Sequence, residues 1–284
     1  MVVRILTDST CDIPLEQAEA LGIVIVPLTV FFGEDAYLDG IELDNAGFYS
    51  MLQTSKLAPR TSQPTPAAFQ EAYTRLINEG ADSILSVHVS SKLSGTYQSA
   101  CNGRDALPDE MKKIPIEMVD SEIVSLGLGV PVMHAAEEAR QGMALAEIKA
   151  RLLDRVARLK IMFVLDTLEY LKRGGRVGGA RALLGNILSV KPILSFKNGA
   201  IVPLEQPRTR SKAYGRIAQL VSEMGEVEEM AVIESDEEVG QQLARSLKTV
   251  YQGEIPAYKL GAVLGAYAGP GTAGVMVIAA HKDS

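Results

Sequence analysis

At 284 residues the chain is long for one domain and comfortable for two, and its 47% hydrophobic content can bury a large core. With no Trp and six Phe, that core must be mostly aliphatic. A net charge of −7 argues against non-specific nucleic-acid binding and against a polybasic membrane-binding surface.

In chain order, Val2–Thr7 reads as a strand followed by Asp8-Ser9-Thr10. Met1–Thr7 lacks the charged and long apolar regions of a signal peptide, so none is expected. Pro14 suits a first helical turn and Gly22 its stop. Ile23–Phe32 is a second apolar run, bent or edge-placed by Pro27, and Asp44 caps a short helix reaching Gln53. Pro59–Pro66 is rigid and extended, because each proline biases its predecessor away from helix. Thr65 and Pro66 then open a helix that Gly80 ends.

Ser83–Ser90 is β-branched and apolar, a buried strand. It passes through Ser91-Lys-Leu-Ser94-Gly95-Thr96 into a helix start. Such a loop points backbone N–H groups at one place and suits an anion or carboxylate. The alternative is that Ser94 or Thr96 is a plain N-cap. Ile116–Val119 is a strand ending at Asp120-Ser121, a natural helix cap. Helices over Glu122–Gln141 and Leu145–Lys160 follow.

Beyond residue 160 the texture changes. Ile161–Leu165 is a strand and Thr167–Lys172 a short helix. Lys191–Ser195 and Ala200–Leu204 flank Asn198-Gly199, a strong hairpin signal. Ser211–Glu223, Met230–Ser235, Gly240–Tyr251 and Ala257–Leu260 continue as helix, strand, helix and strand, with Val275–Ala280 as a last strand. The pattern predicts an α/β protein of two domains. Residues 1–160 would hold a mostly parallel sheet with helices on both faces, and 161–284 a smaller α/β domain with a mixed sheet.

Few motifs carry chemistry of their own. Gly269-Pro-Gly271-Thr-Ala-Gly274 fits GxGxxG by letter, but a strand follows where a dinucleotide site needs a helix. It reads as a turn between two strands. There is no P-loop. Asp8 reads as a turn cap or a partner for the neighbouring loop rather than a nucleophile. His88 falls inside a buried strand, where a satisfied core histidine is the default. His134 and His281 are isolated, so no metal site is expected. Cys11 and Cys101 form no CxxC, which suits a reduced, cytoplasmic setting. No run of about 18 apolar residues exists, so no membrane span is expected. Two basic clusters stand out, Lys172-Arg173 with Arg176 among glycines, and Arg208, Arg210 and Lys212 near a helix start. Either suits an anionic ligand or an acidic partner, or is a solvated helix end.

Taken in order, several segments resemble the DegV family of bacterial fatty-acid-binding proteins, which includes the FakB subunits of fatty-acid kinase. They are Thr7-Asp-Ser-Thr10, Thr61-Ser-Gln-Pro64, Ser90-Ser-Lys-Leu-Ser-Gly-Thr-Tyr97, Val119-Asp-Ser121, Leu168–Val177, Lys191-Pro-Ile-Leu194 and Gly269-Pro-Gly271. The resemblance implies two α/β domains enclosing one long-chain fatty acid such as palmitate between them. It implies that Thr61 and Ser94 hold the carboxylate, with Ser62, Gly95 and Tyr267 beside them. It also implies no cofactor and no catalytic residue. The acid would be presented to a separate ATP-dependent kinase for acyl-phosphate formation, with Arg176 and Arg208 contacting that partner or the phosphoryl group. Many relatives carry His where this chain has Tyr267, whose phenol titrates at about 10 and supplies no charge switch near neutral pH.

Two other readings stay open. One is a hydrolase or phosphotransferase acting on a small anionic substrate through Ser94 or Asp8, although neither has a base nearby in sequence. The other is a pure protein-interaction module.

Overall fold

The computed structural model describes residues 2–183 and 190–281. It runs β1 (Val3–Asp8), α1 (Leu15–Leu21), β2 (Ile23–Val26), β3 (Thr29–Phe32), β4 (Asp35–Leu38), α2 (Asn45–Thr54), β5 (Arg60–Ser62) and α3 (Pro66–Asn78). Next come β6 (Ser83–His88), α4 (Thr96–Asp105), β7 (Ile116–Asp120), α5 (Leu126–Arg140) and α6 (Leu145–Arg158). Then follow β8 (Leu159–Val164), α7 (Glu169–Arg173), β9 (Ile193–Lys197), β10 (Ala200–Glu205), α8 (Arg210–Glu223) and β11 (Val227–Glu234). The last elements are α9 (Glu237–Leu247), β12 (Ala257–Lys259), α10 (Ala262–Ala268) and β13 (Ala273–Ala279).

The βα rhythm of the first half produces a parallel sheet in the order β2-β1-β6-β7. Every residue of β6 is buried because helices cover both faces. Ile5, Leu85 and Val87 pack toward Leu128 and Val132 of α5 and Ile148 of α6. The alternating residues Leu6 and Ile84 pack toward Phe69 and Tyr73 of α3 and Ala100 of α4. Each such aliphatic or aromatic side chain contributes about 1.5–3 kcal/mol by leaving water.

The single run expected over Ile23–Phe32 is two strands in different sheets. β2 ends at Val26, and Pro27, with no N–H for a ladder, marks the crossing. β3 then centres a small antiparallel sheet ordered β4-β3-β5. Its β5 is the proline-bracketed extended segment, with Thr61 paired opposite Val30. Two of the predicted caps are present: Asp44 accepts from Gly47 N at 2.8 Å and Thr65 from Ala68 N at 3.2 Å.

The second half forms a mixed sheet ordered β10-β9-β8-β13-β11-β12. Asn198 and Gly199 turn the β9–β10 hairpin with φ of 50° and 78°. Met162, Val164, Val232 and Val275 face Tyr214 and Ile217 of α8 and Leu243 of α9. Their neighbours Ile161, Ile233, Met276 and Ile278 face back toward α5. This sheet has more strands than the parallel one and begins at Leu159.

Two further expectations are corrected. The helix expected from Glu122 starts at Leu126, because Glu122 and Ser125 both take φ of 56°. Asp120 therefore caps no helix; its carboxylate accepts from Glu122 N at 3.0 Å and Ser91 N at 3.2 Å, securing the loop after β6. The Gly269-Pro-Gly271 turn joins α10 to β13 rather than two strands. Gly269 there has φ 74° and ψ 177°, a conformation open in practice to glycine alone.

Candidate functional site

A cavity of about 360 Å³ lies between the two larger sheets, at the C-terminal ends of the parallel strands. Thr10 reaches it from the end of β1, Val89, Leu93 and Ser94 from β6, and Val124 and Ser125 from β7. Strand order reverses between β1 and β6, and open α/β sheets take their ligands at such a switch point. The facing wall is Ile161, Phe163, Phe196 and Ile233 of the mixed sheet, with Phe163 and Phe196 stacked at 5.6 Å. Val263, Leu264, Tyr267 and Ala268 of α10 close a third side, and Thr61, Ser62 and Gln63 a fourth. A broader groove of about 530 Å³ at the N-terminal end of β1 is lined mostly by small and aliphatic residues, with Arg4, Glu19 and Arg140 among them.

Hydroxyls and one guanidinium converge in the cavity lining. Thr61 Oγ1 and Tyr267 Oη are 2.5 Å apart. Ser94 Oγ lies 2.8 Å from Thr96 Oγ1 and accepts from Thr96 N at 3.3 Å. The Arg176 guanidinium sits over the Tyr267 ring, 5.0 Å from its centroid. Arg176 also donates to the carbonyls of Leu93 at 3.1 Å and Gly174 at 2.7 Å, tying together the loops after β6 and α7. Gly174 is required by packing, since a β-carbon there would run into the Tyr267 ring.

The structure thus brings Thr61, Ser62, Ser94, Arg176 and Tyr267 to one cavity. Gly95 does not line it. It is the N-cap of α4, and the Gln63 side chain lies where its β-carbon would be. Neither Ser94 nor Thr96 is therefore the cap residue itself. Arg208 is exposed in the turn between β10 and α8, outside the lining, whereas Arg210 of the same cluster pairs with Asp166 at 2.9 Å. With Lys191 hydrogen-bonded to it as well, Asp166 is held below the usual carboxylate range. The sequence reading missed Thr10, Gln63, Ser125 and Thr272 as lining residues, and α10 altogether. Thr10, Gln63 and Thr272 lay within noted segments; nothing local marks Ser125.

Beneath the cavity, Asp8 accepts from Thr10 N at 3.1 Å, Thr10 Oγ1 at 2.6 Å and Val89 N at 3.0 Å, and meets His88 Nδ1 at 3.0 Å. His88 Nε2 continues to Ser86 Oγ at 2.7 Å, and that to Tyr73 Oη at 2.8 Å. Every member is buried, and burial pushes the Tyr73 phenol up. Asp8 is thus a turn cap and loop partner, and His88 a satisfied core histidine, both as expected. Among the described residues no group of three or more His, Cys, Asp or Glu side chains is placed to hold a metal ion. No described helix is long and apolar enough to cross a membrane.

Two packed α/β sheets around a mainly apolar cavity with a small polar cluster define a small-molecule-binding architecture. The chain belongs to the DegV family: the family model described as "Uncharacterised protein, DegV family" matches residues 2–280. A DegV domain-containing protein of Streptomyces coelicolor is 37% identical over 280 residues, spanning 97% of this chain and 98% of its own length. The structure is similar to a DegV family protein from Thermus thermophilus described as fatty-acid-binding, with TM-score 0.88, 33% identity and coverage of 99% and 100% of the two chains. It is also similar to DegV of Bacillus subtilis, described as a fatty acid binding protein, with TM-score 0.87, 34% identity and coverage of 98% and 99%.

Proposed function

We propose that this protein binds one long-chain fatty acid in the cavity, with the carboxylate at Thr61 and Ser94 and the chain running over the aliphatic walls. The observation that carries this reading is the composition of the cavity: aliphatic and aromatic side chains from both larger sheets, with Thr61, Ser94, Tyr267 and Arg176 among them. A carboxylate accepts short charge-assisted bonds from hydroxyls and a guanidinium. An acyl chain lying along these walls gains about 0.8 kcal/mol per buried methylene. The solved relatives described as fatty-acid-binding share the fold along nearly the whole chain, which supports the same use here.

In this reading residues 1–160 and 161–284 act as two domains with the ligand between them. The protein is a carrier, found in the cytoplasm, that needs no cofactor. It presents the acyl carboxylate to a separate ATP-dependent kinase, with Arg176 at the cavity and the exposed Arg208 as contacts for that partner or the phosphoryl group. A hydrolytic role for Ser94 finds no support in its surroundings, because its hydroxyl is paired with another hydroxyl, that of Thr96, and not with a base. Native mass spectrometry and lipid extraction of the purified protein should each show one long-chain acid per chain. Absence of such a ligand, together with no binding of added palmitate, refutes the proposal.

A further inference from the structure

Helix α10 lines the cavity with four of its residues, and its start is held by two carboxyls from the opposite end of the sequence. Gly261 N donates to Asp12 Oδ1 at 3.0 Å, and the Asp39 carboxyl faces the N–H groups of Ala262 and Val263. Asn45 Nδ2 donates to the Leu260 carbonyl just before the helix. On their other oxygens, Asp12 meets the Ser125 hydroxyl and Asp39 accepts from Ser9 Oγ at 2.7 Å. Two buried carboxyls thus face the first N–H groups of the helix, where an exposed helix would use one cap and water. Tyr267 stands in the last turn of the same short helix, 2.5 Å from Thr61. A shift of the helix start moves the phenol away from the hydroxyl it meets.

The two carboxyls are close enough to oppose each other's ionisation. Asp12 faces Asp39 and Asp8, with the Cys11 thiol and the Tyr49 phenol also nearby; Asp8 in turn is bonded to His88. After burial, the main groups acting on the two carboxyls are their hydrogen-bond donors and the neighbouring carboxyls. Burial pushes Asp12 up to about 8 and Asp39 up to about 6, so at neutral pH Asp12 largely keeps a proton. A protonated Asp12 accepts from Gly261 at one oxygen and donates to Ser125 from the other. An ionised Asp12 beside Asp39 and Asp8 gains hydration only when the Gly261 turn moves off it.

We propose that Asp12 and Asp39 are positioning residues for the ligand head: together they fix the start of α10 and so hold Tyr267 against Thr61. Loss of the Asp12 proton loosens the helix and weakens binding. The inference rests on the fatty-acid reading above.

The test is the Kd for palmitate, measured by displacement of a fluorescent fatty-acid probe between pH 6.5 and 9.5. It is measured for the wild type, Asp12→Asn and Tyr267→Phe. With one linked proton, the wild-type Kd should rise about tenfold between pH 7 and 9. Asp12→Asn keeps an acceptor for Gly261 and a donor for Ser125, so it should match the wild type at pH 7 and stay flat above. Tyr267→Phe removes the contact that the clamp positions and should also flatten the profile, which keeps the inference testable if Asp12→Asn fails to fold. A flat wild-type profile, or an undiminished slope in either folded variant, overturns the inference while leaving the fatty-acid reading intact. A wild type that binds no palmitate at any pH overturns both.

Discussion

The double substitution Thr61→Val with Ser94→Ala bears most directly on where the ligand head sits. Val matches Thr in volume, and both positions are half-buried, so the change removes two hydroxyls with little loss of packing. In the protein alone, each hydroxyl has one side-chain partner, Tyr267 for Thr61 and Thr96 for Ser94. Losing those neutral bonds costs about 1 kcal/mol each. A hydrogen bond to a carboxylate is worth about 1.5–3 kcal/mol, so two amount to about 3–6 kcal/mol if they add. Neighbouring groups couple, which brings the expectation down to a loss of about 100-fold or more in affinity. Displacement titration with palmitate reads the affinity, and thermal melting reads the fold. A double variant that melts cooperatively and binds within about threefold of the wild type refutes the assignment of the head to these residues.

Three further outcomes are expected. Gly174→Ala places a β-carbon against the Tyr267 ring; it should cost about 1–3 kcal/mol in a denaturant titration through overpacking, and weaken palmitate binding by displacing the phenol. Leu76→Ala, at a fully buried site between α3 and the parallel sheet, should cost about 2–5 kcal/mol in urea unfolding. Asp12 is raised from 3.8 to about 8, so the folded state binds its proton more tightly than the unfolded chain does. The stability this brings is full below the ordinary carboxylate range and is lost as pH rises to about 8. Asp39 adds the same trend up to about 6. The urea midpoint of Asp12→Asn should therefore fall less between pH 5 and 8.5 than that of the wild type; equal falls in the two proteins would contradict the assignment.

Local chemistry made much of this fold legible. Asp44, Thr65 and Asn198-Gly199 each act within four or five residues, and each does in the structure what its position suggests. The strand, hydroxyl-rich loop and helix over 83–105 were likewise readable, because their signals are consecutive. What escaped depended on distant partners. Pro27 announced a bend, but not that the next strand belongs to another sheet, since that is decided by pairing with β4 and β5. Helix α10 is only seven residues long, and its start is satisfied by Asp12 and Asp39, more than 200 positions away, instead of by a local cap. For the site, the family resemblance carried Thr61, Ser94, Tyr267 and Arg176 to one place; the sequence alone offered a hydroxyl-rich loop and two basic clusters. Gly95, which the resemblance put beside the carboxylate, lies outside the cavity lining and leaves room for the Gln63 side chain.

The strand that carries Thr61 is three residues long, lies at the edge of a small sheet, and pairs with β3 alone. Its amides should therefore exchange with solvent through local opening, at a free-energy cost far below that of unfolding the molecule. A ligand gripped by Thr61 must be released, at least in part, each time that strand opens, so occupancy adds RT ln(1 + [L]/Kd) to the opening cost there. The buried strand β6, already protected by global stability, would register far less. Loaded and unloaded molecules would then differ most in the stiffness of one exposed strand, and a partner that touches Arg60–Ser62 could tell them apart without any change of shape.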